Sequence, residues 1–303
     1  LLCLTVFVCL PLASNPIFFG LCLFLFGMFN GALDISMNVW ASELQKRYGK
    51  QILSSFHAMF SLGAGIGAVL GFSAASAGMS IQANFYLGLF CLAPALVLIL
   101  KSRWRSDIKQ SNAFFTQFAV PKKSLIGVGI IAFCSSLGEG GVADWSALYL
   151  VIVTEVSQAH AALGFGVFSL AMVAIRMMGD SIIAKLGKVL SGRLSALIAF
   201  FGSALVLSSG YYPIILCGLA FIGAGYAILI PVCLSRAAED LSISPGAAIA
   251  SVSTLGYSGF LLGPPLLGLI AEYTSMASVF VILMLQTIII FVASKQLGPF
   301  TLK

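Results

Sequence analysis

Nine apolar runs, each close to the roughly 20 residues that cross a bilayer, leave this chain few ways to fold. They fall at 16–42, 53–77, 83–101, 124–150, 160–184, 191–209, 211–235, 246–271 and 277–295, with a shorter run at 1–13. Lipid offers the backbone no hydrogen-bond partners, so each run is expected to be an α-helix that satisfies itself. A mean hydropathy of +1.07 with only 9% charged residues excludes a soluble globular protein, which carries about 25%. The expected fold is all-α: a polytopic helical membrane bundle of nine complete helices and one partial helix.

The connections set the orientation. Alternate loops hold Lys46, Arg47 and Lys50; Lys101, Arg103, Arg105, Lys109, Lys122 and Lys123; Lys185, Lys188 and Arg193; Arg236; then Lys295 and Lys303. Fifteen of the 16 basic residues sit in these loops or at the run ends that border them, the sixteenth, Arg176, lies inside a run near the same side, and the opposite loops contain none. The positive-inside rule makes the basic side cytoplasmic. It also accounts for the net charge of +6 without a nucleic-acid partner; the bilayer is the partner implied.

Metal and redox chemistry are not expected. The seven cysteines lie in apolar runs without a CxxC pair, and they read as small hydrophobes. Two histidines and no His/Cys/carboxylate group at ligand spacing imply no metal site and no cofactor, with protons as the coupling ion. An enzyme would need a clustered nucleophile or metal set, and none is legible. The chain opens Leu1-Leu2-Cys3-Leu4 without a basic n-region, so residues 1–13 are expected to end a helix whose start is absent rather than form a signal peptide.

Between Phe26 and Gly71 polar residues interrupt two of the runs. At about 100° per residue Gly27, Asn30, Gly31, Asp34 and Asn38 share one wedge of a helix, and His57, Ser61, Ala64, Ala68 and Gly71 share a stripe on the next. Polar groups in hydrocarbon are expensive and normally face a bundle interior or a water-filled path. Two adjacent helices with such faces suggest the wall of a solvated pathway. Gly63, Gly67 and Gly71 read as a close-packing ridge.

Residues 102–123, basic and rich in Ser, Asn and Gln, divide the chain into a part at 1–101 and a six-helix part at 124–303. The parts echo one another. Phe60-Ser61-Leu62-Gly63 with Gly67 and Gly71 resembles Tyr257-Ser258-Gly259-Phe260 with Gly263 and Gly268, and Gly27/Gly31 parallels Gly223/Gly225. Such repeats are typical of secondary transporters. Six helices on either side of a cytoplasmic linker imply a parent of twelve.

Twelve spans, a basic central loop and a parallel half-repeat resemble the major facilitator superfamily. Within it Leu33-Asp34-Ile35-Ser36-Met37-Asn38 is similar to the fourth-helix pattern Leu-Glu-Thr-Ala-Ala-Asn of the fucose-permease-like branch. Ser55-Phe56-His57-Ala58 lies where that branch has Thr-Phe-Asn-Ser, and Glu139-Gly140-Gly141-Val142-Ala143-Asp144-Trp145-Ser146 adds a third match to a bacterial inner-membrane group. Arg176-x-x-Gly179-Asp180 with Lys185-x-Gly187-Lys188 resembles the superfamily loop motif Gly-x-x-x-Asp-Arg-x-Gly-Arg, with Ser181 replacing a basic residue.

The resemblance makes Asp34 a proton or substrate site, with Asn30 and Asn38 beside it; the alternative is a structural acid bonded to those two amides. His57 is a proton relay or substrate contact, or else a helix-end histidine satisfied by loop carbonyls. Glu139, ringed by Gly138, Gly140 and Gly141 and sharing a face with Ser135 and Ser146, is a second intramembrane acid; its glycines suggest a helix able to bend around a ligand. Asp144 and Trp145 belong to the outer interface or to a substrate platform, and Tyr257 to the cavity wall or a helix contact. Arg176 and Asp180 read as a structural cytoplasmic gate. Gly263-Pro264-Pro265 is expected to break its helix.

The function implied is a secondary transporter that moves a small polar solute, with a sugar one candidate, by proton-coupled alternating access in a bacterial inner membrane. A drug or metabolite exporter on the same fold and a membrane solute sensor that moves nothing are the rivals.

Overall fold

Helix boundaries follow local chemistry closely. The structure, a computed structural model, describes residues 2–101 and 122–299. Asn15 accepts the Phe18 N–H at 2.8 Å and Pro16 takes the first helical position, so α2 starts there and runs Pro16–Tyr48. Gly49, with φ of 63°, then ends it. Before it lies α1 (Leu2–Cys9) with a 3-10 turn at Leu10–Leu12; after it come α3 (Leu53–Ser76) and α4 (Ile81–Lys101). Then follow α5 (Lys123–Thr154), α6 (Gln158–Ser208), α7 (Tyr212–Tyr226), α8 (Leu229–Ala237), α9 (Pro245–Tyr273) and α10 (Ala277–Ala293). Ser157 and Ser244 cap α6 and α9 by accepting the N–H of His160 and Ala247.

Seven helical stretches among the described residues are long and apolar enough to cross a membrane. With 51 residues α6 is about 76 Å long, more than twice a hydrocarbon core of about 30 Å. It holds two spans, joined where Gly187 leaves helical geometry at φ 75°, ψ 163°. Ile17, Phe24, Phe90, Leu170 and Leu261 are all more than two-thirds exposed, a surface that only lipid suits. The chain is an integral multi-pass membrane protein. The linker expected at 102–123 lies almost wholly outside the described residues.

The chain forms two compact units, residues 1–40 with 60–112 and residues 41–59 with 113–303. In the first, Val6, Leu10 and Cys22 make a core flanked by Phe7, Phe26, Phe29 and Phe85. The Phe7 and Phe85 rings lie 4.8 Å apart. Asn30 is exposed, Asp34 half-buried and Asn38 buried. The Asn38 amide donates to the Asp34 main-chain oxygen at 2.9 Å. Of the ridge expected at Gly63, Gly67 and Gly71, the first two pack against none of the described residues, since a Cβ at either would meet open space, and the surroundings of Gly71 lie outside what the structure describes. Small residues permit close approach but do not supply a neighbour.

In the second unit α5 packs on α9, α10, α6 and α8, and α6 meets α7 over the most extensive contact. Glycines make that contact possible. A Cβ at Gly218 would stand 2.7 Å from the Gly202 oxygen, one at Gly225 2.6 Å from the Ala199 nitrogen, and one at Gly223 would overlap the Phe168 oxygen. Gly27 and Gly31, their sequence counterparts, face open space. The echo is one of sequence and not of packing. Gly223→Ala is expected to cost about 1–3 kcal/mol, because a backbone oxygen cannot rotate away. Thermal unfolding in detergent, with Gly27→Ala as the near-neutral comparison, measures it.

Two expectations about breaks are corrected. Pro264 and Pro265 do not break α9, which is continuous from Pro245 to Tyr273. Each proline removes one intrahelical bond, a loss that packed neighbours can absorb, and the Trp145 indole donates to the Pro264 oxygen at 3.2 Å. The break lies instead between α7 and α8, at Ala227 and Ile228. Pro231 stands four residues after Ala227, lacks the N–H that carbonyl needs, and crowds it with its ring.

Candidate functional site

Arg176 is the residue around which the second unit's polar groups gather. Its Nε donates at 3.0 Å to the Ala227 oxygen, the carbonyl that Pro231 leaves without an intrahelical partner. Its Nη2 lies 3.2 Å from Oε2 of Glu139, midway along α5. The two side chains are 6% and 23% exposed, so the pair is buried on the arginine side and open on the carboxylate side. Among the described residues no other side chain bonds the Glu139 carboxylate, which leaves Oε1 available.

The glycines around Glu139 do not loosen its helix. α5 is unbroken from Lys123 to Thr154, and the space they leave is filled. The Tyr226 ring packs on Gly138, Phe260 on Gly140, and Leu267 with Leu283 on Gly141. Tyr226 is fully buried and its hydroxyl accepts from Gln286 at 2.9 Å. Ser135 and Ser146 are fully buried with neither hydroxyl bonded, so they line no path.

One turn further along α6 the same helix holds the start of α3. The Ser54 hydroxyl donates to the Arg176 oxygen at 2.8 Å. The N–H groups of Ser54 and Ser55 donate to the two carboxylate oxygens of Asp180, each at 2.9 Å, and the Ser55 hydroxyl donates to Asp180 as well. These are first-turn amides with no intrahelical acceptor, at the helix end where the dipole favours negative charge. Gly179 lets the two helices meet: a Cβ there would overlap the Ser54 hydroxyl and stand 2.7 Å from Ile228 Cγ2. His57, one turn beyond Ser54, is half-buried and within electrostatic reach of Arg176.

A second set of contacts ties the end of α2 to the same unit. Lys46 donates at 3.0 Å to the Ala238 oxygen at the C-terminus of α8, where the dipole favours a cation. Gln45 donates to Ser235 at 2.8 Å and accepts the Ile52 N–H at 3.2 Å. Beside them Lys188 pairs with Glu239 at 2.6 Å. Burial pushes the Asp240 carboxyl up, but two bonds from Ser242 and the Arg236 charge outweigh it and hold the group below its ordinary value. A pocket of about 550 Å³ opens here between Gln51, Lys188, Arg193, Glu239 and Pro299, and of the motif residues singled out from the sequence Gly187 and Lys188 line it.

The structure thus brings Glu139, Arg176, Asp180 and His57 into one unit, while Asn30, Asp34 and Asn38 belong to the other. Asp144 and Tyr257 are exposed. Trp145 is a helix contact, its indole bonded to Pro264 and packed on Gly268. Arg176 and Asp180 are turned to different partners, Glu139 and the α3 N-terminus. Sequence reasoning missed Ser54, Gln45 and the Pro231 break, and it named Ser55 and Gly179 only as members of motifs, without their contacts to Asp180 and Ser54. A Ser-Ser pair opening a helix and a proline inside an apolar run were the available signals.

The family model for the Major Facilitator Superfamily matches residues 1–244. An uncharacterized transporter, y4wD, of Sinorhizobium fredii is 38% identical over 273 residues, covering 90% of this chain and 72% of the relative. Membrane protein MosC of Rhizobium meliloti is 28% identical over 287 residues, covering 93% and 69%. Among solved structures, a Major Facilitator Superfamily transporter, FucP, in the outward conformation superposes with a TM-score of 0.81 at 17% identity, covering 99% of this chain and 80% of that one. The human organic anion transporter MFSD10 gives 0.73 at 16%, covering 98% and 74%.

Proposed function

The chain belongs to the Major Facilitator Superfamily, and we propose that it serves as a proton-coupled carrier of a small polar solute. It is a transporter and not an enzyme. The observation that carries the proton is the Glu139–Arg176 pair, an acid at mid-helix with one oxygen bonded and the other available. The pair adjoins a discontinuous helix, and transporters place substrate and ion sites at such breaks near the bilayer midplane. Asp34 is the second acid, placed in α2 between exposed Asn30 and buried Asn38. Intramembrane carboxyls are functional groups by default, because a merely structural role does not offset their cost. Likeness at 17% identity speaks for the fold alone, so the sugar reading rests on the sequence motifs.

Alternating access needs contacts that hold one side shut and release together. Asp180 on the α3 N-terminus and Lys46 on the α8 C-terminus meet that need: both are charges set on helix ends and neither is locked in an apolar core. We assign them as the cytoplasmic gate. The 176–180 turn joins gate to site, since Arg176 holds Glu139 by its side chain and Ser54 by its carbonyl. The two repeats flank the linker at 102–123, with the basic loops in the cytoplasm of a bacterial inner membrane.

Proteoliposomes of the full gene product test the reading. An imposed inward proton gradient is expected to drive accumulation of a polar solute, and a protonophore to abolish it. Accumulation indifferent to the protonophore contradicts proton coupling. Proton entry driving a lipophilic dye outward makes the protein an exporter. Binding without movement makes it a sensor.

A further inference from the structure

We infer that the cavity beside Gly187 holds the phosphodiester headgroup of an anionic membrane phospholipid, drawn from the leaflet that meets the basic loops. Such a site is independent of proton coupling and needs only a chain that spans a membrane. The cavity exists because α6 turns there. Gly187, at φ 75° and ψ 163°, ends one span, and Lys188 opens the next. The approach to α3 contributes Gln51, the loop after α8 contributes Glu239, and the chain beyond α10 contributes Gly298. A Cβ at Gly187 would meet open space. The volume of about 550 Å³ falls within the roughly 300–1,000 Å³ of small-molecule sites.

Charge points to an anion. Of the residues lining the cavity Lys188, Arg193 and Glu239 are charged, and together they leave one positive charge. Lys188 meets Glu239 at 2.6 Å, with the side chains 12% and 44% exposed, so the acid has a wet side and the cation does not. Behind the wall Arg236 donates to the Gly298 oxygen at 2.8 Å and its charge reaches Asp240, so those two groups offset one another. The excess cation is Arg193. Its guanidinium lies exposed, 5.5 Å from the Phe291 ring centroid, and among the described residues no hydrogen bond or ion pair holds it. A guanidinium fork matches the paired oxygens of a phosphate.

Apolar surface beside these cations separates a lipid from a free phosphate. Leu186, Leu190 and Phe291 are each more than a third exposed, and both leucines line the cavity. A free phosphate uses the cations and leaves these side chains uncovered. A phospholipid uses both, with its headgroup at Arg193 and Lys188 and an acyl chain along Leu190 and Phe291. Basic pockets between membrane helices at the cytoplasmic boundary suit anionic headgroups for this reason.

Native mass spectrometry of the full gene product released from detergent tests this, with phosphatidylglycerol, phosphatidylcholine and glycerol 3-phosphate as probes. Phosphatidylglycerol is expected to bind about fivefold tighter than phosphatidylcholine of the same chains, the weight of one basic residue at an anionic surface. Arg193→Gln is expected to remove that preference. Lys101→Gln, at an exposed cation outside the cavity, is expected to keep it. Arg193→Lys, which retains the charge, is expected to keep most of it, and this separates lost charge from lost fold. Glu239→Gln is expected to tighten phosphatidylglycerol binding, because it removes the acid that competes for Lys188. Glycerol 3-phosphate binding as tightly as phosphatidylglycerol would make the ligand a soluble phosphate and overturn the lipid. Equal binding of the two lipids, or a preference unchanged in Arg193→Gln, would overturn the site.

Discussion

Arg176→Leu destabilises the protein by about 3 kcal/mol, the lower end of the cost of stranding one member of a buried ion pair. Glu139 is then an unpaired carboxylate at mid-helix, and the Ala227 oxygen loses its donor at the α7–α8 break. The lower end applies because Glu139 is 23% exposed and retains some water. Adding Glu139→Gln removes the stranded charge, so the double variant is expected to recover much of the loss. A double-mutant cycle on unfolding in mixed micelles reads the coupling, expected to exceed 1 kcal/mol for residues in direct contact. Strictly additive costs would mean that the pair is not an energetic unit.

The second large effect is at the gate. Asp180→Ala removes three donors' acceptor and the negative charge from the start of α3. Bonds to a charged acceptor contribute about 1.5–3 kcal/mol each when buried. Asp180 is half-exposed, so a total of about 2 kcal/mol is reasonable, equal to a roughly 30-fold shift toward the open gate. Ala58 lies buried one turn past Ser55, and Ala58→Cys in a background without the native cysteines reports opening through its labelling rate. Gly179→Ala should accelerate labelling in the same direction without removing any charge, because its Cβ overlaps Ser54. Wild-type rates in both variants would show that this contact gates nothing.

Much of the fold was legible because the bilayer imposes one rule on every segment. Run length and the alternation of basic loops located the helices within a few residues, including the two spans that α6 joins at Gly187. Prolines and glycines were harder, since their effect depends on what lies opposite. Pro231 opens a helix where Arg176 waits for the carbonyl, while α9 runs through Pro264 and Pro265 against the Trp145 indole. Gly223 meets the Phe168 backbone and Gly27 meets open space, though both sit in similar apolar patterns.

Glu139 and Arg176 were each visible as charges inside spans, yet their pairing was not. They stand 37 positions apart on helices whose rotation about their axes no periodicity fixes. Asp180 was recognised through its motif, but its partners are main-chain N–H groups of Ser54 and Ser55, which every sequence possesses. Side-chain chemistry shows in a sequence; backbone donors become a site only once a helix ends in the right place.

The central claim is that intramembrane acids of this chain carry protons together with a solute. Proteoliposomes of the full gene product, with a pH-sensitive dye inside, test it most directly against Asp34→Asn combined with Glu139→Gln. The account predicts that one polar solute added outside acidifies the lumen, and that the double variant, though folded, leaves the dye unchanged. Solute-driven acidification that persists at the wild-type rate in the double variant would contradict it.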